Sequence, residues 1–332
     1  MNLNSESLAR EVAATGFGGE PLERVFQLMT LLDGLNSHPF LKPRLALKGG
    51  TALNLFHFAV PRLSVDIDLN YVGAADREAM LAERPKIEQA VQAVCSREGF
   101  NIKRMPTDHA GGKWRLTYTG AKGYPGKLEL DVNFMLRTPL WPCVVIACHP
   151  VGSLRAAPVR VLDLHELAAG KMAALLARSA SRDVFDGHAL LGTPGLDPAK
   201  LRLGFVVYGG INRRDWRTVS ADDVKADLNE VQMELLPMLR SDLVPERGSV
   251  SDWTHKLVAE CRERLSILLP LNDAEREFIL RLNDAGEIAP ELITDDQAMQ
   301  ARIREHPGLR WKAINVRKHR GLDGPRTADE QP

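Results

Sequence analysis

The pattern of apolar and polar residues predicts an α/β fold: a mixed sheet flanked by helices in the first part of the chain, and a mainly helical C-terminal domain after it. Three observations carry this. The apolar run Leu45-Ala46-Leu47 meets Gly49-Gly50-Thr51 and then an apolar stretch 52–58, which reads as strand, turn and helix. Four strand-like runs, 100–105, 113–120, 127–135 and 143–148, follow a long helix and are separated by turn residues. Beyond the loop Gly192-Thr193-Pro194-Gly195 the periodicity is helical. The chain therefore divides into 1–192, 193–320 and a polar tail 321–332 that is expected to be disordered.

Residues 5–15 and 20–34 read as helices, and Leu22, Val25, Phe26, Met29 and Leu32 give the second an apolar face. After the strand, turn and helix of 45–58 comes a strand at 65–71, then a helix at 76–99 with Ile87, Val91 and Val94 on one side. Gly111-Gly112 and Tyr124-Pro125-Gly126 read as turns between short strands, which suggests antiparallel or mixed pairing. In 127–135, Leu128, Leu130, Val132 and Phe134 face one way and Glu129, Asp131 and Asn133 the other. That is a half-buried strand with a polar outer face, or a strand offering a carboxylate to a site. A strand at 159–162 leads to a helix starting at Asp163, with Glu166 placed to close a capping box. Leu164, Ala168, Lys171 and Leu175 share a stripe of that helix, so Lys171 either snorkels to solvent or is held inward for a ligand.

Asp183 and Asp186 share the next helix face, either as a surface ion-pair cluster with Arg178 and Arg182 or as part of a site, Asp183 before Asp186. Further helices are expected near 197–203, 221–240, 251–269, 273–284 and 295–305, with a strand-like piece at 205–208. Asn272-Asp273-Ala274-Glu275 marks a helix start. The end of the chain is basic, with Arg302, Arg304, Arg310, Lys312, Arg317, Lys318 and Arg320 around Trp311. It is a solvated helix or a nucleic-acid contact surface.

Composition narrows the function classes. The 332 residues suffice for two domains, and 44% hydrophobic residues allow a proper core. Basic and acidic residues both number 43, and the resulting zero net charge excludes a general polycationic coat for DNA, though not a local basic patch. No apolar run reaches the ~18 residues of a membrane span, and residues 1–7 lack the basic-then-apolar order of a secretory signal. Cys95, Cys143, Cys148 and Cys261 form no Cys-x-x-Cys and have no histidines at zinc spacing, so reduced thiols in a cytoplasmic protein are expected.

The chemistry concentrates in two short stretches. Glycines at a strand-to-helix turn let backbone N–H groups approach a phosphate, and Thr51 adds a hydroxyl, as a cap or to a phosphate oxygen. Asp66 and Asp68 then share one face of a strand whose other positions, Val65, Ile67 and Leu69, are apolar. Ionised groups in such a run are expensive unless paired or metal-bound. Two carboxylates on a rigid face suit Mg²⁺, and a phosphate cradle beside a metal platform is the layout for phosphoryl or nucleotidyl transfer.

Gly49-Gly50-Thr51 followed by Asp66-Ile67-Asp68 resembles the DNA polymerase β-like nucleotidyltransferase superfamily. More narrowly, Lys48-Gly-Gly-Thr-Ala-Leu with Arg62-x-Ser64-x-Asp-Ile-Asp-Leu is similar to the AbiEii toxins, nucleotidyltransferases of bacterial toxin–antitoxin (abortive infection) pairs. Glu166-Leu-Ala-Ala-Gly-Lys171, the Arg182-Asp183-x-x-Asp186 segment and parts of 271–278 and 311–319 extend the likeness over most of the chain, with Gly187 where Leu is usual. The resemblance implies the nucleotidyltransferase fold, with the active cleft between the sheet and the helical part. It implies that Asp66, Asp68 and Asp131 hold Mg²⁺ (or Mn²⁺), or that Asp131 takes the proton of the attacking hydroxyl. It puts Lys48, Gly49, Gly50, Thr51, Arg62, Ser64 and Lys171 on an NTP, with Asp183 also in the site.

The implied reaction transfers NMP to an acceptor and releases pyrophosphate. The implied acceptor is RNA, tRNA first, with growth arrest as the outcome. The implied partner is an antitoxin encoded alongside, without a stable complex. Two other readings use the same residues: a nucleotide-binding regulator with little turnover, and transfer onto a protein hydroxyl.

Overall fold

The computed structural model describes residues 4–105 and 111–322. It opens with α1 (Ser5–Thr15), capped by the Asn4 side chain accepting from the Ser7 amide, and α2 (Gly19–Ser37), which buries Leu22, Val25, Phe26, Met29 and Leu32 against the sheet. The strands and long helices that follow are β1 (Leu45–Lys48), β2 (Asp66–Tyr71), α4 (Arg77–Arg97), β3 (Asn101–Arg104), β4 (Gly111–Thr119), β5 (Pro125–Asn133), β6 (Val144–Ile146) and β7 (Val159–Val161). Between β1 and β2 lies α3, a single turn at Gly49–Thr51 that runs on as a π-helical stretch, Ala52–His57. The sheet order is β3-β4-β5-β2-β1-β7-β6. It is mixed, as expected: β2 runs antiparallel to β1 and parallel to β5, and β7 runs parallel to β1. Gly111 and Gly112 do not turn the chain; they begin β4 and pair with Asn133 and Val132.

Helices α5 (Leu164–Arg178) and α6 (Ser181–Leu191) pack on one another, and α5 also packs against α3 and the π-helical stretch that follows it. No capping box forms at the start of α5. Asp163 caps the His165 amide, but Glu166 is buried and accepts from the Leu140 and Trp141 amides and the Tyr208 hydroxyl. The second half holds α7 (Pro198–Ile211), α8 (Leu228–Glu230), α9 (Val250–Arg264), α10 (Asp273–Ala285), α11 (Gln297–Arg304) and α12 (Pro307–Arg320). The capping box at Asn272 and Glu275 is present. Residues 205–208, read as strand-like, lie inside α7: Phe205, Val206 and Val207 are buried among helices, and that packing overrides their β propensity.

The expected long helix at 221–240 is broken into short turns. Asp227 restarts a helix by capping the Glu230 amide, and Pro237 removes a donor a turn and a half later. One continuous core runs from Leu8 to Ala313. Among the described residues no helix is long and apolar enough to cross a membrane. Residues 323–332 of the tail lie outside the described residues.

Candidate active site

The site begins where β1 ends. Gly49 has φ 74°, and a Cβ there would collide with the Asp68 carboxylate; one on Gly50 would come within 2.9 Å of Ser64 Oγ and 3.0 Å of the Arg62 guanidinium. Only glycine lets the chain bend this tightly over the next strand. Thr51 fixes the bend from behind. It is buried, and its hydroxyl donates to the Asp66 carbonyl at 2.6 Å, so it tethers the turn to β2 and does not line the cleft, contrary to a role on phosphate.

Cross-strand register assembles the carboxylates. Lys48 lies opposite Asp68, Asp68 opposite Asp131, and Asp131 opposite Lys113, while Asp66 lies opposite Glu129. Directly opposed residues share a face, so this row of four crosses the cleft wall. Burial pushes the Asp66 carboxyl up, and the Asp68 charge pushes it further. Asp131 is also raised, by burial first, with Asp68 adding to it and Lys48 and Lys113 opposing it.

Among the described residues, none of these three side chains accepts a hydrogen bond or forms an ion pair. Their chemistry therefore fits a hard divalent cation, which prefers carboxylate oxygen and would relieve the crowding. Among the described residues no three metal-capable side chains form a cage of their own.

Behind the glycine turn sits a buried charged network. The Lys171 ammonium is 2.8 Å from Asp183 Oδ1 and 2.8 Å from Asp186 Oδ2. Arg62 grips Asp186 through Nε at 2.7 Å and a terminal nitrogen at 2.5 Å, and gives its third nitrogen to the Leu63 carbonyl. Asn54 bridges Asp186 to the Gly50 carbonyl, both at 3.0 Å. Arg178 holds the other oxygen of Asp183 at 2.7 Å. Burial alone would raise both aspartates, but Arg62 and Lys171 hold Asp186 well below the usual carboxylate range, and Lys171 and Arg178 lower Asp183. Burial would lower Lys171, yet Asp186 and Asp183 raise it.

Lys171 thus points inward, but it is not an unpaired cation waiting for a phosphate. Asp186, ranked behind Asp183 from sequence, is the hub. The cluster is neither superficial nor joined to Arg182, which pairs with Glu234. Arg62 is fully engaged within the fold, so it anchors the turn more than it offers donors to a ligand.

A cleft of about 630 Å³ joins these parts, lined by Lys48, Gly49, Gly50, Ser64, the three carboxylates and Lys171 on one side and by Tyr208, Glu230 and Glu234 from the second half. The halves are laced together there: the Leu63 amide donates to the Met238 carbonyl and the Arg240 amide to the Pro61 carbonyl. Sequence reasoning missed Lys113, Asn70, Glu166 and Tyr208, all of which line the cleft. Glu166 opens the Glu166-Leu-Ala-Ala-Gly-Lys171 segment but reads there as a helix cap, and the other three lie outside the motifs that carry the resemblance. Glu166 is pushed up to about 7 by burial, against the donors from Tyr208, Leu140 and Trp141. Both polar side-chain atoms of Asn70 are buried without a partner.

The basic C-terminal end is mostly engaged within the protein. Arg302 donates to the Pro139 and Leu140 carbonyls, Arg304 pairs with Glu291, Arg310 with Glu305 and Arg320 with Asp284. Lys312 donates to the Asn212 carbonyl and Arg317 to the Gly286 carbonyl. The reading as a structural helix gains from this, and the reading as a nucleic-acid surface loses.

Comparison with known proteins agrees with the geometry. The family model described as nucleotidyl transferase AbiEii toxin, type IV toxin–antitoxin system, matches residues 30–315. Among solved structures, the chain is similar to MenT4, a nucleotidyltransferase toxin from Mycobacterium tuberculosis H37Rv, with a TM-score of 0.60 and 17% identity, over 93% of this chain and 99% of that one. At that identity the likeness establishes the fold, a nucleotidyltransferase sheet flanked by helices. No curated protein matches the sequence.

Proposed function

The chain belongs to the AbiEii family of nucleotidyltransferase toxins of type IV toxin–antitoxin systems, and from that premise we propose that it transfers NMP from an NTP to an RNA acceptor, tRNA first, in the cytoplasm. The observation that carries this reading is the row of carboxylates in register, without partners among the described residues, directly under a glycine turn. Asp66, Asp68 and Asp131 are the residues that would hold Mg²⁺ (or Mn²⁺), which when bound supplies positive charge for the triphosphate.

The chain's own groups do the rest. Gly49 and Gly50 let the turn lie close against Asp68, Ser64 and Arg62, which brings its backbone to the cleft with Lys48 and Ser64 beside it. The Lys171 ammonium has three donors; two go to Asp183 and Asp186, and the third is left for a phosphate oxygen in the cleft. Asp183 orients both Lys171 and Arg178, whose side chain is 66% exposed at the rim. In the reaction the acceptor hydroxyl oxygen bonds to the α-phosphorus as the bond from that phosphorus to the α,β-bridging oxygen breaks. Pyrophosphate leaves, and in the alternative where Asp131 is the base and not a metal ligand the hydroxyl proton passes to it, its proton affinity raised by burial. The antitoxin encoded alongside would act without a stable complex.

The test is incubation with α-labelled NTPs, RNA and lysate. Label on RNA supports the proposal. Label on protein points to a protein hydroxyl acceptor, and nucleotide binding without pyrophosphate release points to a regulator; either result overturns it.

A further inference from the structure

The polar face of the sheet does not end at the carboxylates. Continuing across the strands from Asp131 and Asp66, register places Lys113 opposite Asp131, Arg115 opposite Glu129 and Arg104 opposite Arg115. Lys127 lies one step along β5, opposite Thr117. The buried face of the same strands holds Trp114, Leu116, Tyr118, Leu128 and Leu130, so the alternation commits these four cations to the outer face. Their side chains are exposed: Lys113 59% and Arg115 60%. The nearest carboxylate outside the metal row is Glu129, 2.7 Å from Lys113 and 3.6 Å from Arg115. Among the described residues Arg104 and Lys127 have no acidic partner. Four cations against one carboxylate thus form a ramp from the edge strand β3 to the catalytic row.

We propose that this outer face of β3, β4 and β5 is the docking surface for the acceptor, and that the acceptor is a single-stranded RNA end whose phosphates lie on Arg104, Arg115 and Lys127 while its terminal hydroxyl reaches Asp131. Charge complementarity selects this occupant: a polyanion fits a row of four cations that share the single carboxylate of Glu129. Among the described residues, the outward positions of these three strands carry no large apolar side chain to anchor a folded protein partner. Its one exposed aromatic neighbour, Tyr124, sits 76% exposed in the β4–β5 turn, where a base can stack. The contrast with the C-terminal end is internal to the molecule: there most of the basic residues have partners of their own within the fold, and here Lys113 and Arg115 share the one carboxylate of Glu129 while Arg104 and Lys127 have no acidic partner among the described residues.

The proposal rests on RNA being the acceptor, and the experiment separates the two. Wild type, Arg104→Gln/Arg115→Gln and the control Lys256→Glu/Lys318→Glu are compared for binding of 5′-labelled single-stranded RNA across a salt series, for NMP transfer to that RNA, and for NTP-dependent thermal stabilisation. Arg104 and Arg115 are outside the cleft lining, so NTP stabilisation should not change in any variant. In the Gln pair the slope of log affinity on log salt should fall by about 1.4, two contacts at ~0.7 each, which is about 25-fold in affinity at 0.1 M relative to 1 M salt. Transfer at sub-saturating RNA should fall in step, and the control should match wild type. A Gln pair with wild-type RNA affinity and salt slope, or an equal loss in the control, overturns the docking surface while RNA remains the acceptor. Wild type that labels protein and not RNA overturns the acceptor and the surface with it.

Discussion

Replacing Lys171 with Met keeps the length of the side chain and removes its charge, and the structure fixes the sign of the effect. The ammonium is a shared counter-ion at 2.8 Å from each of two buried aspartates. Removing one member of a buried ion pair costs about 3–5 kcal/mol, because the remaining charge stays desolvated and uncompensated. Here Asp183 keeps Arg178 and Asp186 keeps Arg62 and Asn54, which puts the loss at the lower end, about 3 kcal/mol. For a chain of this size that is roughly a 6 °C fall in Tm, at ~2 °C per kcal/mol.

Adding Asp183→Asn to the Met variant should recover part of the loss, since the charge that lost its partner is then gone. Transfer should fall about 100-fold if the third amine donor is worth ~3 kcal/mol in the transition state. The acid side of the stability profile should also move. Asp183 and Asp186 are held below their unfolded values, so their stabilisation is present above about pH 4 and is lost as pH falls through the folded values. Without Lys171 the folded values rise, so that loss should be smaller and should be complete at a higher pH. Urea melts across pH with parallel turnover are the assay. A Met variant as stable as wild type, or more stable, would refute the buried counter-ion role.

Asp66→Asn/Asp131→Asn should abolish transfer and leave the metal-free protein at least as stable at neutral pH, because both carboxyls are raised in the folded state; calorimetry with and without Mg²⁺ checks this. Glu166 titrates near 7 in the fold against 4.5 in the chain, so wild type should gain up to about 3 kcal/mol of stability as pH falls from above 7 towards 4.5, and Glu166→Gln should flatten that slope in pH-dependent urea melts. Thr51→Val should cost about 1–3 kcal/mol by leaving the Asp66 carbonyl without its donor, with Thr51→Ser close to wild type, and a Val variant of unchanged Tm that only weakens NTP binding would return the hydroxyl to the phosphate.

Much of the sheet and the carboxylate row was legible because it rests on short-range rules. Alternation in 127–135 put Asp131 on the right face, and the glycine pair followed by Asp66 and Asp68 located the turn and its strand. What escaped was set by partners distant in sequence. Asp186 became a hub through Arg62, 124 residues away, and nothing near either residue announces the pair. The stripe left Lys171 between solvent and the interior, and only the resemblance turned it inward; its counter-ions lie on the following helix. Residues 205–208 read as strand-like; in the fold they continue into Gly209, where a Cβ would collide with the Trp216 ring, so that glycine permits close packing inside α7. The basic end stayed open between a solvated helix and a nucleic-acid surface because the partners of Lys312, Arg317 and Arg320 lie far away in sequence, where periodicity cannot place them.

The most direct measurement is pyrophosphate release and RNA labelling in the same reaction, for wild type and for Asp66→Asn/Asp68→Asn, with divalent cation and with chelator. Wild type should release one pyrophosphate per nucleotide joined, only with the cation present, and the double variant should release none while melting normally. Full turnover by a folded double variant, or by wild type under chelator, would contradict the carboxylate row as the seat of the chemistry.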